Sequence, residues 1–105
     1  MLISIIIPHF NQPSYLARGL SALTAQKDDA ACEILVVDNN SAIIPTEIVA
    51  AFSDVQLLSE TTAGPGPARN TGVSAASGDI LAFIDADCLA QPGWLAAIAA
   101  PNSFG

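Results

Sequence analysis

Basic residues are scarce in this chain: Arg18, Lys27 and Arg69 stand against ten acids, a formal net charge of −7. A chain of that sign repels polyanions, which argues against nonspecific binding to nucleic acid or to anionic membranes. Cysteine is equally sparse. Cys32 and Cys88 lie far apart and outside any C-x-x-C spacing, so neither a disulfide scaffold nor a zinc site is signalled, and both read as free thiols of a reducing, cytoplasmic compartment. No apolar run approaches the length that spans a bilayer. The opening Met1-Leu2-Ile3-Ser4-Ile5-Ile6-Ile7 lacks a basic leader and a small-residue cleavage site, and Pro8 stops it early, so it reads as a first strand and not as a signal segment. Internal repeats, low-complexity tracts and interdomain linkers are also missing.

The commonest phosphate-binding motifs are missing as well. Pro8-His9-Phe10-Asn11-Gln12-Pro13 follows the first strand where a dinucleotide site would carry G-x-G-x-x-G, and no glycine loop is followed by a Walker lysine. Asp38 lacks the paired acid at the first strand end, and the lysine at a later one, that a phosphoacceptor site would want.

What is present is a chain of 105 residues that is 51% apolar and 12% charged. It is too apolar to be disordered and too short for two cores, and its low charge points to a single domain whose elements are covered on both faces. Leu2 to Ile7 is a β-branched run ended by Pro8, the pattern of a fully buried strand. Leu16, Leu20 and Leu23 recur at helical spacing after Pro13, which predicts a helix from about Pro13 to Gln26. A second strand, Glu33 to Asp38, empties into Asn39-Asn40-Ser41. A short helix over Thr46 to Phe52, a weaker strand over Val55 to Leu58, a small-residue helix from about Pro67 to Ser77 and a strand over Ile80 to Ile84 follow. Gly78 reads as the stop of the third helix. Strands alternating with helices predict an α/β fold, a parallel sheet of about four strands with helices on both faces.

In such a sheet, ligands bind outside the carboxyl ends of the strands. Three polar clusters fall there: Pro8-His9-Phe10-Asn11, Asp38-Asn39-Asn40 and Asp85-Ala86-Asp87. The last is the most informative. Two carboxylates one residue apart crowd each other unless a cation, a proton or wide solvation relieves them, and a divalent Mn²⁺ or Mg²⁺ suits oxygen ligands of this kind. Phe10 could stack on a base, Asp38 could accept from a base N–H edge, and Arg69 could donate to a base carbonyl or a phosphate. Each residue also has a plainer reading. Phe10 packs at a strand end, Asp38 caps a turn, His9 sits in an exposed loop, Arg69 is a surface residue of a helix start, the acid pair is a solvated turn, and Cys88 and Trp94 pack.

Four ordered segments resemble the family-2 glycosyltransferases with the GT-A nucleotide-sugar-binding fold. Ile3-Ser4-Ile5-Ile6-Ile7-Pro8-His9-Phe10-Asn11 is similar to the family's opening strand and P-x-[FY]-N segment. Glu33-Ile34-Leu35-Val36-Val37-Asp38-Asn39-Asn40-Ser41 resembles its second strand and nucleotide-contacting acid. Gly66-Pro67-Ala68-Arg69-Asn70-Thr71-Gly72 resembles its G-x-A-R-N-x-G helix start. Phe83-Ile84-Asp85-Ala86-Asp87 resembles its D-x-D, with Pro92-Gly93-Trp94-Leu95 after it.

The resemblance implies a Rossmann-like half of a GT-A fold that binds a nucleotide-sugar donor, commonly a UDP-sugar. Pro8, Phe10, Asn11, Asp38, Arg69 and Asp85 would contact the nucleotide, Asp85 and Asp87 the metal, and transfer to an acceptor hydroxyl would invert the anomeric centre. Family members continue past the D-x-D into an acceptor-binding half that carries the general base, and no acid here matches the base motif. The expectation is therefore that residues 1–105 form one domain, the N-terminal donor-binding part of a truncated glycosyltransferase, with the acceptor and any membrane association determined elsewhere. In the family the fourth strand is internal. An uncovered fourth-strand edge here predicts self-association.

Overall fold

Residues 1–100 are described by a computed structural model. The chain runs β1 (Ile3–His9), α1 (Pro13–Thr24), β2 (Cys32–Asp38), α2 (Thr46–Ala50), β3 (Val55–Ser59), α3 (Pro65–Ala75), β4 (Ile80–Phe83) and α4 (Trp94–Ala99). The strands form one sheet in the order β3-β2-β1-β4, and every neighbouring pair is parallel. The α/β expectation therefore holds, with helices on both faces.

The alternation of β1 divides the core in two. Ile3, Ile5 and Ile7 face one way, with Ile34 and Val36 of β2, against Leu16, Leu20 and Leu23 of α1, Val49 of α2 and Leu95 of α4. Ile6, Leu35 and Val37 face the other way, against Ala68 of α3. The small residues of α3 let it lie close to the sheet: a Cβ on Gly72 would stand 2.5 Å from an Ile6 side-chain carbon. This helix covers β1, β2 and β3. On the same face, Leu81 and Phe83 of β4 lie opposite Ser4 and Ile6 in register and stay 41% and 45% exposed.

Among the differences from the sequence reading, three have a visible cause in the structure. Helix α1 ends at Thr24, whose hydroxyl bonds back to the Leu20 carbonyl, and residues 25 to 29 continue as turns. Gly78 is not a left-handed helix cap. It is glycine because the chain passes β1 so closely that a Cβ would stand 2.8 Å from both Leu2 O and Ser4 N, and its N–H donates to Ser4 Oγ. Helix α4 falls where the sequence reading has only the packing of Trp94; it is six residues long and buries Leu95.

Candidate functional site

Because all four strands are parallel, their carboxyl ends share one edge of the sheet. Helix α1 leaves β1 on one face and α3 reaches β4 across the other, so the ends of β1 and β4 meet where the crossovers diverge. A cleft of about 520 Å³ opens there. Pro8, His9 and Phe10 wall it from β1, Asn39 and Asn40 from β2, Ala63 to Pro65 and Ala68 from the start of α3, and Asp85 to Asp87 from the end of β4.

The acid pair sits on a turn, not on extended chain. Ile84 N–H still bonds to Ile6 O, after which the Cys88 N–H donates to Asp85 O at 3.0 Å and the backbone reverses. Ala86 points into the core, while Asp85, Asp87 and Cys88 stay exposed, each offering one ligand atom within 4.8 Å of the others. Desolvation, then the charges of Asp87 and Asp85, push the Cys88 thiol up and keep it protonated. The two carboxylates beside it suit a hard divalent cation completed by phosphate oxygens and water. The expectation that Cys88 packs was wrong: the turn carries it outward with the acids.

Phe10 is 56% exposed at the cleft mouth, where a packing residue would be covered. His9, read from sequence as exposed loop, is buried at 2%. Its Nδ1 lies 2.9 Å from Asp38 Oδ1, and its Nε2 accepts the Gln12 N–H at 3.1 Å. A backbone N–H can only donate, so Nε2 is the acceptor and the ring proton sits on Nδ1, facing Asp38. Asp38 is itself buried at 2%, and its Oδ2 accepts the Ser41 N–H. Asp38 therefore stands behind the cleft wall and is not part of its lining.

Asn11 and Arg69 also stand outside the lining. Asn11, at φ 50°, donates its N–H to Ser41 Oγ and accepts the Ala42 N–H on Oδ1, tying the end of β1 to the loop after β2. Arg69 Nη2 lies 3.7 Å from Asp85 Oδ1, both side chains well exposed, so the pair is screened by solvent.

At the sequence level, the family model described as "Glycosyl transferase family 2" matches residues 4–101. The chain belongs to glycosyl transferase family 2. This family 2 chain is 38% identical over 99 residues to the glycosyltransferase AglE of Haloferax volcanii, covering 89% of the chain and 33% of that protein. Among solved structures it resembles Staphylococcus aureus TarS 1–349 in complex with UDP-GlcNAc, with TM-score 0.83, 28% identity, and 94% of the chain on 30% of that structure. It also resembles the mannosyltransferase PcManGT of Pyrobaculum calidifontis in complex with GDP-Man and Mn²⁺, with TM-score 0.81, 27% identity, and 94% of the chain on 32% of that structure. The family 2 chain thus spans about a third of the length of these relatives.

Sequence reasoning placed Asn39 in the polar cluster after the second strand without giving it a role of its own. In the fold its amide is saturated: Nδ2 donates to Glu60 O and Thr62 O, each at 2.8 Å, and Oδ1 accepts the Gly64 N–H at 2.9 Å. It therefore fixes the entry to α3, where Gly64 at φ 118° takes a backbone shape that a side chain would strain. Glu60 ties the same loop to α3, since Thr71 Oγ1 donates to its Oε1 at 2.6 Å and the Thr62 N–H to its Oε2 at 2.8 Å.

The Thr71 hydroxyl, then the Thr62 amide, hold the Glu60 carboxyl below the usual carboxylate range. A lowered folded value means this contribution is present above the unfolded value and is lost as pH falls through the folded one. Thr71→Val is expected to move the Glu60 titration back up toward the ordinary range. An NMR titration of the Glu60 carboxyl carbon checks this, and an unshifted midpoint would count against the bond.

Proposed function

We propose that this chain is the donor-binding part of a glycosyltransferase that holds a nucleotide-sugar, in the first instance a UDP-sugar, through Mn²⁺ or Mg²⁺ for inverting transfer to an acceptor hydroxyl. One observation carries the reading. A single cleft at the carboxyl edge of the sheet has an exposed aromatic, Phe10, on one wall and the convergent carboxylates Asp85 and Asp87 on another. Similarity to TarS with UDP-GlcNAc and to PcManGT with GDP-Man and Mn²⁺ supports it.

In this reading Phe10 and Pro8 offer an apolar face to the base, while Asp38 and Asn11 shape the wall behind it. The helix start offers little to a diphosphate. Pro65 and Pro67 carry no N–H, so of the first three residues of α3 only Gly66 can present an amide. Charge neutralisation then falls to Arg69, one turn further on, and to a cation held by Asp85 and Asp87. Such a cation, when bound, acts as a Lewis acid on the diphosphate oxygens. In the transfer, an acceptor oxygen forms a bond to the anomeric carbon as the bond to the nucleoside diphosphate breaks. Its proton goes to a general base that we place in the remainder of the protein. A cytoplasmic location, membrane-associated through that remainder, belongs to the same proposal; among the described residues no helix is long and apolar enough to cross a membrane.

Calorimetric titration of UDP with and without Mn²⁺ tests the reading. Binding that strengthens with the metal is expected; heats that are absent, or indifferent to metal, would overturn it.

The edge strand favours a second property, self-association of the chain. Among the described residues strand β4 is paired on one side only, and Leu81 and Phe83 leave an apolar strip beside that edge. Sedimentation is expected to show a dimer or larger species that Phe83→Lys shifts toward monomer. A chain that stays monomeric at high concentration would remove the idea.

A further inference from the structure

Helix α1 lies directly under the turn that carries the acid pair. A Cβ on Gly19 would stand 3.6 Å from the carbonyl oxygens of both Ala86 and Cys88, so the turn's backbone rests on the helix. Seven residues on, just past the end of α1, Gln26 is 6% exposed and its carboxamide is fully engaged. Its Nε2 donates to Gln91 O at 2.9 Å and to Ala90 O and Ala22 O at 3.4 Å each, and its Oε1 accepts the Leu95 N–H at 3.0 Å. Leu95 is the second residue of α4, a helix whose own N-cap, Gly93, supplies no side-chain bond. One buried amide from another element therefore satisfies two carbonyls before α4 and an orphan amide inside it.

The acid turn has few polar tethers of its own. Cys88 N–H bonds to Asp85 O within the turn, and Asp85 and Asp87 are exposed. Two carboxylates this close repel each other, so their shared orientation has to be imposed from outside the turn. We propose that Gln26 is a positioning residue for the metal-binding pair, fixing the segment Ala90 to Leu95 on α1 and thereby the orientation in which Asp85 and Asp87 face a cation. The inference rests on the metal reading of that pair.

Two measurements on Gln26→Met, which keeps the volume and removes the bonds, test it. The first needs no ligand. Amide hydrogen exchange by NMR is expected to quicken about tenfold at Cys88 and Leu95 while the β1 and β2 amides keep their rates, as the loss of one buried hydrogen bond predicts. The second is calorimetry with UDP. The Mn²⁺-dependent affinity is expected to fall about tenfold, as when a supporting group is removed from a metal site, with metal-free UDP binding unchanged. Gln26→Glu keeps the acceptor for Leu95 but turns an oxygen toward the Ala90 and Gln91 carbonyls, and is expected to behave like Gln26→Met. Unchanged exchange at Cys88 overturns the proposal, as does quickened exchange with undiminished Mn²⁺-dependent affinity. If the unsubstituted chain shows no metal-dependent UDP binding, the donor reading fails by itself, and with it the metal-positioning role, whatever the exchange result.

Discussion

Asp87→Ala removes Mn²⁺-dependent UDP binding, with an expected loss of about 100-fold, the upper end of what losing even a supporting group costs at a metal site. The loss should exceed that of any other single substitution in the cleft. Asp85 has Arg69 beside it at 3.7 Å and is partly neutralised in the absence of metal. Among the described residues Asp87 has no such cation; Cys88 Sγ makes a long 3.7 Å contact to its Oδ1. Its carboxylate is therefore the one whose charge is most available to a cation. Because Asp87 is exposed, the substitution should leave thermal unfolding where it was. Calorimetry with and without Mn²⁺, with unfolding as the control, gives the answer. Equal loss in both titrations would mean that the residue acts on the nucleotide and not through a metal.

The second large effect concerns stability. His9 and Asp38 form a pair 2.9 Å apart in which both side chains are about 99% and 98% buried. His9→Phe leaves the Asp38 carboxylate buried with the Ser41 N–H, and is expected to cost about 3 kcal/mol. Asp38→Leu strands the His9 Nδ1–H, although Ser41 Oγ at 3.3 Å can take part of it, and is expected to cost about 2 kcal/mol. The double variant should cost less than the sum, with a coupling of about 2 kcal/mol, because it removes the pair and leaves neither group unpartnered. Urea unfolding of the four proteins measures the cycle. Strict additivity would show that the two groups do not depend on each other.

The placement of Asp38 shows where sequence reading of this site stops. The residue was legible as the acid at the end of a buried strand, because Ile34 to Val37 announce the strand and Asp38-Asn39 its end. That it turns inward to His9 was not legible. The interaction joins residues 29 positions apart, and depends on β1 and β2 being neighbours in register, His9 beside Asp38. Gln26 was invisible for the same reason. Nothing local distinguishes it from a solvent-facing residue at the end of a helix, and three of its four partners lie 64 to 69 positions away. Phe10 had two readings, stacking on a base and packing at a strand end, and its exposure is at odds with the second. Only the position of the cleft leaves it exposed.

The sequence by itself determined the alternation of strands and helices, the parallel sheet, the acid pair at a strand end and the family. These depend on periodicity and on motifs contiguous in the chain, which local sterics and hydrophobic burial read directly. The tertiary structure alone decided which polar side chains face the cleft and which stand behind it. That choice is made by contacts between elements far apart in sequence, where a buried polar group must find its partner wherever the fold places one.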